Sequence, residues 1–335
     1  MKKLIAAAVA SSMTAFAMAD ISITGDAKYE YDLTDNNGTK TTTANTEAHL
    51  NFTGKSGDTT YVAKFQLIDN GTAGNDFDLE DNYITTSVMG IGVKAGDYAS
   101  STSGLAGEIE EGGRSHGKVT LSYKLGDVSL YAGNGGSAST NTGANQGINN
   151  NMFAGASTTV AGQTVHIKKN SDSRDSFGIK GSVGGVSYRY EAIDDDGTGS
   201  ATAGEADYVE LNASMNGINV QYAALNADNA TLLEETDSAV FALEAAAARH
   251  ASSTTAKVAK DQSQVAISTT VDGNKVTLKS GTIEKALTAT KDQDYTQVSV
   301  SRALSSGATA VITYTDQDMA TGTKDNLELE LNVKF

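Results

Sequence analysis

Strict two-residue alternation at both ends of the sequence is the feature that most limits how this chain can fold. From Ile21 to Tyr31 the odd positions hold isoleucine, glycine, alanine and tyrosine, while the even positions are all polar or charged. From Leu327 to Phe335 leucine, valine and phenylalanine alternate with glutamate, asparagine and lysine. Because successive side chains of a strand point to opposite faces, each segment predicts a strand with one apolar and one polar face.

Short turns rich in glycine, asparagine and aspartate separate many further segments of this kind. These residues adopt the positive φ that tight hairpins require. The turns fall at 54–58, 89–92, 126–127, 161–163, 184–185, 216–217, 272–274 and 305–307. Eight turns predict eight hairpins, which with the first and last strands give a count of eighteen.

The other connections are expected to be long and polar, and they alternate with the short turns. They are residues 32–45, 69–81, 134–150, 193–205 and 316–326. Tight turns at one end and long loops at the other are typical of an outer-membrane barrel, whereas a soluble β-sandwich has no reason to sort its loops by length. The sequence therefore predicts an all-β fold, a transmembrane antiparallel up-and-down β-barrel of 16–18 strands with short periplasmic turns and long outer loops.

Residues 1–19 have the pattern of a secretory signal. Lys2 and Lys3 precede an apolar run from Leu4 to Ala17, and Ala17-Met18-Ala19 places small residues before a cut ahead of Asp20. The run is shorter than a membrane-spanning helix requires. We therefore expect an exported protein, cleaved after Ala19, whose residues 20–335 form a single barrel.

Composition narrows the function classes. The chain has no Cys, no Pro and no Trp, and loss of Lys2 and Lys3 would change its net charge from −16 to −18. Such acidity argues against nucleic acid as a partner, and the missing cysteines exclude thiol catalysis and zinc fingers. The chain is 39% hydrophobic, which is little for a large soluble core but enough for a barrel whose apolar positions face lipid.

Several segments together resemble a Gram-negative general porin. They are the signal, the opening strand from Asp20 to Gly25, the hairpin from Tyr83 to Tyr98 with the long segment after it, and the closing Leu-Glu-Leu-Glu-Leu-Asn-Val-Lys-Phe. The resemblance implies a homotrimer of barrels, usually sixteen-stranded, in a bilayer with lipopolysaccharide. It also implies a third outer loop folded into the pore, and a terminal aromatic residue, here Phe335, that the barrel assembly machinery reads.

By this resemblance, residues 99–117 are the constriction loop. Its charged residues would face a pore-lining basic wall, although the proline motif usual in the loop is missing here. The loop residues are Glu108, Glu110, Glu111, Arg114 and His116, and the basic residues are Lys28, Lys64, Lys94 and Lys124. Opposed charges across a narrow pore create a transverse field that orients dipolar solutes. A solvated acidic surface loop is the alternative interpretation.

Residues 227–294 are atypical. An alanine-rich piece around Phe241 has high helix propensity, and it precedes a hairpin at 264–281. This piece is either a helix on an outer loop or a further strand. We favour an inserted loop segment with some helix, and therefore hold the strand number between sixteen and eighteen.

The sequence shows little sign of other chemistry. The four histidines are scattered without a metal-binding spacing, so neither an enzyme nor a cofactor is expected. Acidic residues of the outer loops could hold Ca²⁺ through oxygen ligands, although a solvated acidic loop explains them as well. These residues are Asp194-Asp195-Asp196-Gly197, Asp35, Asp69 and Asp81.

Three functions fit these features. The first is an outer-membrane porin, a water-filled pore for passive diffusion of ions and small hydrophilic solutes, weakly preferring cations. The second is a secreted or surface β-rich adhesin without channel activity. A solute-specific barrel is the third, and it would need an aromatic track along the pore. Most tyrosines, such as Tyr29 and Tyr123, lie on the lipid-facing phase, and exceptions such as Tyr131 do not predict such a track.

Overall fold

The computed structural model is a closed, all-antiparallel sheet of eighteen strands, each paired with its neighbours in the chain, and β1 is also paired with β18. It describes residues 20–69, 76–99, 114–134, 152–171, 174–195, 204–227, 241–242, 261–284, 292–319 and 322–335. The strands are β1 (Asp20–Asn36), β2 (Thr39–Ser56), β3 (Thr59–Asp69), β4 (Asp76–Val88), β5 (Ile91–Ala99), β6 (Arg114–Leu125), β7 (Val128–Asn134), β8 (Met152–Val160), β9 (Gln163–Asn170), β10 (Arg174–Val183), β11 (Val186–Asp195), β12 (Gly204–Met215), β13 (Ile218–Ala227), β14 (Gln262–Val271), β15 (Asn274–Ile283), β16 (Gln293–Ala303), β17 (Ala308–Met319) and β18 (Gly322–Lys334).

The two faces of this barrel have opposite chemistry, as the alternation predicts. Outward positions are apolar and well exposed, with Ile23 at 56%, Leu121 at 45% and Ile312 at 52% exposure. Inward positions are polar: Lys28 of β1 pairs in register with Asn332 of β18. A barrel of this strand number encloses an aqueous lumen, so both faces have a solvent that suits them.

The eight predicted short turns all lie at one end of the barrel. They connect β2 to β3 and each later even-numbered strand to the next one. Arg302 points outward in register with Ala310, beside the turn that connects β16 to β17. This outward cation therefore lies near the rim of the barrel, away from the middle of the strand.

Two of the five predictions of long outer loops are wrong. Most of 32–45 is strand, because β1 and β2 continue to a two-residue turn at Asn37 and Gly38, where φ is 52° and 83°. Residues 316–326 are also mostly strand, since β17 extends to Met319 and β18 begins at Gly322. Threonine is common in both segments and favours extended backbone, and Asn-Gly is a strong hairpin signal that the polar composition obscured.

Eighteen strands replace the sixteen that the general-porin resemblance implies. The hairpin predicted at 264–281 is β14 and β15, and both strands pair within the wall. The preference for an inserted loop with some helix concerned the alanine-rich piece, and it stays a prediction. The alanine-rich piece from 243 onward lies outside the described residues, as does most of the proposed constriction loop.

A single closed sheet also excludes the two packed sheets on which the soluble adhesin interpretation depended. In the part of the chain that the structure describes, no helix is long and apolar enough to cross a membrane.

Closure of the barrel gives a stability prediction. A Cβ added to Gly25 would lie 2.6 Å from the backbone oxygen of His49 and 2.7 Å from the Phe335 ring. We expect Gly25→Ala to destabilise the barrel by about 1–3 kcal/mol through overpacking at the seam. The measurement is the temperature at which the compact, fast-migrating form converts to the unfolded form on a gel.

Gly54→Ala is the matched control, because nothing lies within 4 Å of a Cβ at that position. Equal conversion temperatures for the two variants would show that contact at Gly25 does not limit closure.

The assignment of faces gives a second prediction. Val298 points outward and Ser299 points inward at the middle of β16. The chain has no cysteine, so single cysteines at these two positions report their surroundings alone. In liposomes we expect a charged, water-soluble thiol reagent to modify Ser299→Cys rapidly and Val298→Cys slowly. The reverse order would mean that the two faces are exchanged.

Candidate functional site

The inner wall carries an acidic group on β18, β1 and β2. In register, Lys28 pairs with Glu47 and Glu30 pairs with Glu330, so these side chains share the inward face. The acidic group consists of Asp26, Glu30, Glu47, Glu328 and Glu330. One carboxylate oxygen from each of Glu30, Glu328 and Glu330 lies within 4.8 Å of the others. This part of the wall therefore presents concentrated negative charge to the lumen.

Lys28 lies among the carboxylates of the acidic group. Its Nζ lies 3.0 Å from Glu30 Oε2 and 3.5 Å from Glu47 Oε2. His49 lies close by, with Nδ1 3.0 Å from Asp26 Oδ2 and Nε2 3.1 Å from Glu47 Oε1. Lys28 thus faces the lumen as a counter-ion among carboxylates, and it does not line a basic wall with the other predicted lysines.

A second charged surface, the basic-aromatic group, lies on β4 to β9. It consists of Lys94, Lys118 and Lys168 with Tyr83, Tyr98 and Phe153. Lys94 Nζ lies 4.0 Å from the ring centroids of both Tyr83 and Tyr98. Lys118 Nζ is 5.4 Å from the Tyr98 ring, and Lys168 Nζ is 5.0 Å from the Phe153 ring. Cation–π attraction at these distances holds the ammonium groups against the wall.

A local irregularity of the sheet creates part of this group. The pairing of β5 with β6 shifts register between Gly96 and Tyr98. Gly96 has φ of 135°, and a Cβ there would lie 2.2 Å from the backbone oxygen of Asn82, so only glycine fits. The Tyr98 hydroxyl hydrogen-bonds to Thr120 at 2.7 Å, and Lys118, which is 1% exposed, donates to the Tyr98 carbonyl at 3.4 Å. Bulges of this kind commonly re-aim side chains at functional sites.

Tyr131 and His166 extend this surface across β7 and β9. Their rings stack with centroids 5.5 Å apart, and the Tyr131 hydroxyl lies 2.8 Å from His166 Nε2. A Cβ on Gly155 would meet the Tyr131 hydroxyl, so the glycine between the two strands makes room for the ring. The inner wall therefore holds two sets of rings, one on β4 and β5 and one on β7 to β9. More aromatic rings face inward than we expected, although the two sets do not form one track.

One end of the basic-aromatic group, at Lys168, lies opposite the acidic group across the lumen, whereas Lys94 and Lys118 on β5 and β6 lie closer to it around the ring. Strand β9 is half of the eighteen-stranded ring away from β18. Lys168 on β9 therefore looks across the barrel towards Glu328 and Glu330 on β18. Opposed charges on facing walls produce an electric field across the lumen.

The remaining predicted residues are dispersed. Lys64 faces the lumen and pairs with Glu80 at 2.5 Å. Lys124 is inward and lies beside the turn at 126–127. Glu108, Glu110 and Glu111 lie outside the described residues. Arg114 and His116 are placed by backbone alone, at the start of β6.

The residues suggested for Ca²⁺ are not brought together. Asp35 lies on β1 and accepts a hydrogen bond from the Gly38 amide at 2.8 Å. Asp194 lies on β11, across the ring from β1. Asp69 and Asp81 belong to β3 and β4, and the rest of the aspartate run lies at or beyond the end of β11.

Phe335 lies at the seam of the barrel. Its amide donates to the Gly25 carbonyl at 2.9 Å, and its carbonyl accepts from the Gly25 amide at 2.8 Å. The ring is 64% exposed on the outer surface. The last residue therefore helps to close the sheet and leaves an aromatic side chain accessible.

Sequence reasoning missed a third part of the wall, an amide network on β12 to β17. Glu210 is its charged centre: it accepts from Tyr208 at 3.0 Å, Asn212 at 2.6 Å and Gln221 at 2.8 Å. Gln297 donates to Thr315 at 3.1 Å. The polar phase of each strand contained these residues, but no local signal showed that they meet.

Known structures share this fold. No family model matches the sequence, and no curated protein matches it. Among solved structures, Pseudomonas aeruginosa OpdL is 12% identical, with a TM-score of 0.67 over 94% of this chain and 99% of that chain. P. aeruginosa OccK2 (OpdF), solved in complex with glucuronate, is 11% identical with a TM-score of 0.64, covering 94% of this chain and 98% of that chain. P. aeruginosa OpdK, solved with vanillate, is 12% identical with a TM-score of 0.64 and the same coverage. This chain has the barrel fold of those proteins.

Proposed function

We propose that this chain forms a water-filled channel in the outer membrane of a Gram-negative bacterium, through which ions and small hydrophilic solutes diffuse passively. The observation that carries the proposal is the closed eighteen-stranded sheet with an apolar outer and a charged inner face. Barrels of sixteen to eighteen strands leave an aqueous channel, whereas smaller barrels are filled by side chains. The similar barrels OpdL, OccK2 and OpdK are outer-membrane channels, which supports the same role.

The outer surface suits a lipid environment. Large apolar side chains recur around the ring, such as Ile84 at 47% exposure, Leu121 at 45% and Ile312 at 52%. Soluble proteins rarely expose apolar surface of that extent, because contact with water is unfavourable. A bilayer with lipopolysaccharide is therefore the proposed partner of this surface, and the adhesin interpretation is not supported.

Export and assembly complete the proposal. Residues 1–19 would be removed as a signal, which leaves Asp20 as the first residue, and β1 begins there. The exposed Phe335 ring would be read by the barrel assembly machinery. A homotrimer is proposed from the sequence resemblance to general porins, from which this barrel differs in strand number.

The two charged groups suggest how solutes pass. The field between them would orient a dipolar solute, with its negative end towards the basic-aromatic group. Glucuronate and vanillate, found with OccK2 and OpdK, both pair a carboxylate with a ring. Lys94 and Lys168 with the rings beside them offer matching contacts. For small ions, the net charge of −16, or −18 without the signal, favours a weak preference for cations.

Ion selectivity tests the proposal. In a planar bilayer with a salt gradient, we expect the wild-type reversal potential to show weak cation preference. Lys168→Gln should increase that preference, because it removes positive charge from the lumen wall. Lys169→Gln is the matched control: Lys169 points outward and pairs with Asp175 at 2.9 Å, so the same charge change should leave selectivity unaltered.

Two results would contradict this account. Clear anion preference of the wild type would exclude the proposed selectivity. Folded protein that carries no current at any voltage would exclude the channel itself.

A further inference from the structure

Phe241, in the connection between β13 and β14, packs against the inner wall. It is 4% exposed and belongs to an apolar cluster with Ile193, Ala206, Tyr208, Ala223, Leu225 and Ala227. The ring lies edge-on to Tyr208, with centroids 6.4 Å apart. Each wall residue of this cluster faces inward, as the register of β11, β12 and β13 requires. Phe241 therefore occupies an apolar recess on the lumen side of the barrel.

The next residue is held by its peptide groups. The Ala242 amide donates to Gln264 Oε1 at 2.7 Å, and the Ala242 carbonyl accepts from Gln297 Nε2 at 3.5 Å. Both glutamines face inward, on β14 and β16. Gln264 thus accepts a hydrogen bond from the backbone N–H of Ala242, and Gln297 donates one to its backbone C=O.

The glutamines are already positioned by other contacts. Gln264 Oε1 also accepts from the Tyr295 hydroxyl at 3.3 Å, and that hydroxyl accepts from Gln262 at 3.2 Å. Gln297 Nε2 donates to Thr315 Oγ1 at 3.1 Å as well. A recess for a ring beside a fixed acceptor and donor is a preorganised arrangement, which lowers the entropic cost of binding.

We infer that this part of the wall is a peptide seat, which binds an aromatic residue followed by an amide N–H and C=O, and which the chain's own Phe241 and Ala242 occupy. The seat is defined by Tyr208, Leu225, Gln264 and Gln297. Small peptide-like solutes with an aromatic side chain compete for it with the internal segment. The inference goes beyond the proposed channel function. Binding at the seat does not require that the barrel conducts.

The chemistry of the seat selects the solute. Tyr208 and Leu225 contact a ring, and a solute without one leaves this recess unfilled. Gln264 and Gln297 are uncharged, so they suit hydrogen bonding to neutral amide groups better than to charged amino or carboxylate termini. A blocked dipeptide, N-acetyl-phenylalanyl-alaninamide, therefore carries the required groups, and N-acetyl-glycyl-alaninamide is the matched probe that lacks the ring.

Fluorescence tests the seat without any current. Because the chain has no tryptophan, Phe241→Trp introduces a single reporter. We expect its emission to be blue-shifted in the refolded barrel and to shift to the red when Gln264→Ala is added. Gln317→Ala is the control, because Gln317 faces inward from β17 but donates to Gln293, at 2.9 Å. If the tryptophan of Phe241→Trp emits as it would in water, and Gln264→Ala does not change that emission, the proposed seat is refuted.

Binding tests the competition, and it does not require that tryptophan fits. Phe241→Gly removes the internal ring, so equilibrium dialysis should show the blocked phenylalanyl peptide binding about tenfold more tightly than to the wild type. The glycyl peptide should show no such gain. Equal binding of the two peptides by Phe241→Gly would overturn the inference. If the protein conducts but the two peptides bind Phe241→Gly equally, the peptide seat is refuted and the channel function stands. If the phenylalanyl peptide binds more tightly but the protein does not conduct, only the channel function is refuted.

Discussion

Closure of the sheet between β1 and β18 is the interaction on which the rest of this structure depends. The chain ends meet there, with Gly25 and Phe335 exchanging backbone hydrogen bonds of 2.8 and 2.9 Å. In a bilayer, an open strand edge would leave backbone groups without partners, at several kcal/mol each. Closure removes both edges, and it requires glycine at the point where the Phe335 ring crosses β1. A lumen, two chemically distinct faces and opposed walls all follow from this seam.

Once the ring is closed, alternation divides each strand between two solvents. Apolar residues face outward and polar residues face inward, and in the proposed bilayer the barrel needs no apolar core of the usual kind. The inner wall nevertheless has structure of its own. Acidic residues gather on β18 to β2, lysines and rings on β4 to β9, and amides on β12 to β17. The only buried apolar cluster in the described part of the chain forms around Phe241, inside the lumen.

The fold was largely predictable from the sequence, because a period of two identifies both the strand and its faces. Ile21 to Tyr31 and Leu327 to Lys334 are strands with the predicted faces, and the glycine-rich turns lie where expected. Polar composition was a poorer guide. Thr41 to Thr43 lie within β2 and not in a loop. Threonine is polar, but its β-branched side chain also favours the extended backbone of a strand.

The candidate site was less predictable, because its groups form between strands far apart in the chain. Lys28 and Lys94 were both assigned correctly to the inward phase, yet one lies among carboxylates and the other against tyrosine rings. Their surroundings depend on register and on bulges such as the one between Gly96 and Tyr98. The contact of Ala242 with Gln297 spans 55 residues, and no local pattern encodes it.

Solute diffusion through liposomes is the most direct test of the central claim, that the closed barrel is an open water-filled pore. Liposomes containing the refolded protein should swell in an isosmotic solution of a small sugar such as arabinose, and more slowly in one of the trisaccharide raffinose. Liposomes with heat-denatured protein should not swell. Failure of the folded barrel to admit arabinose would contradict the account.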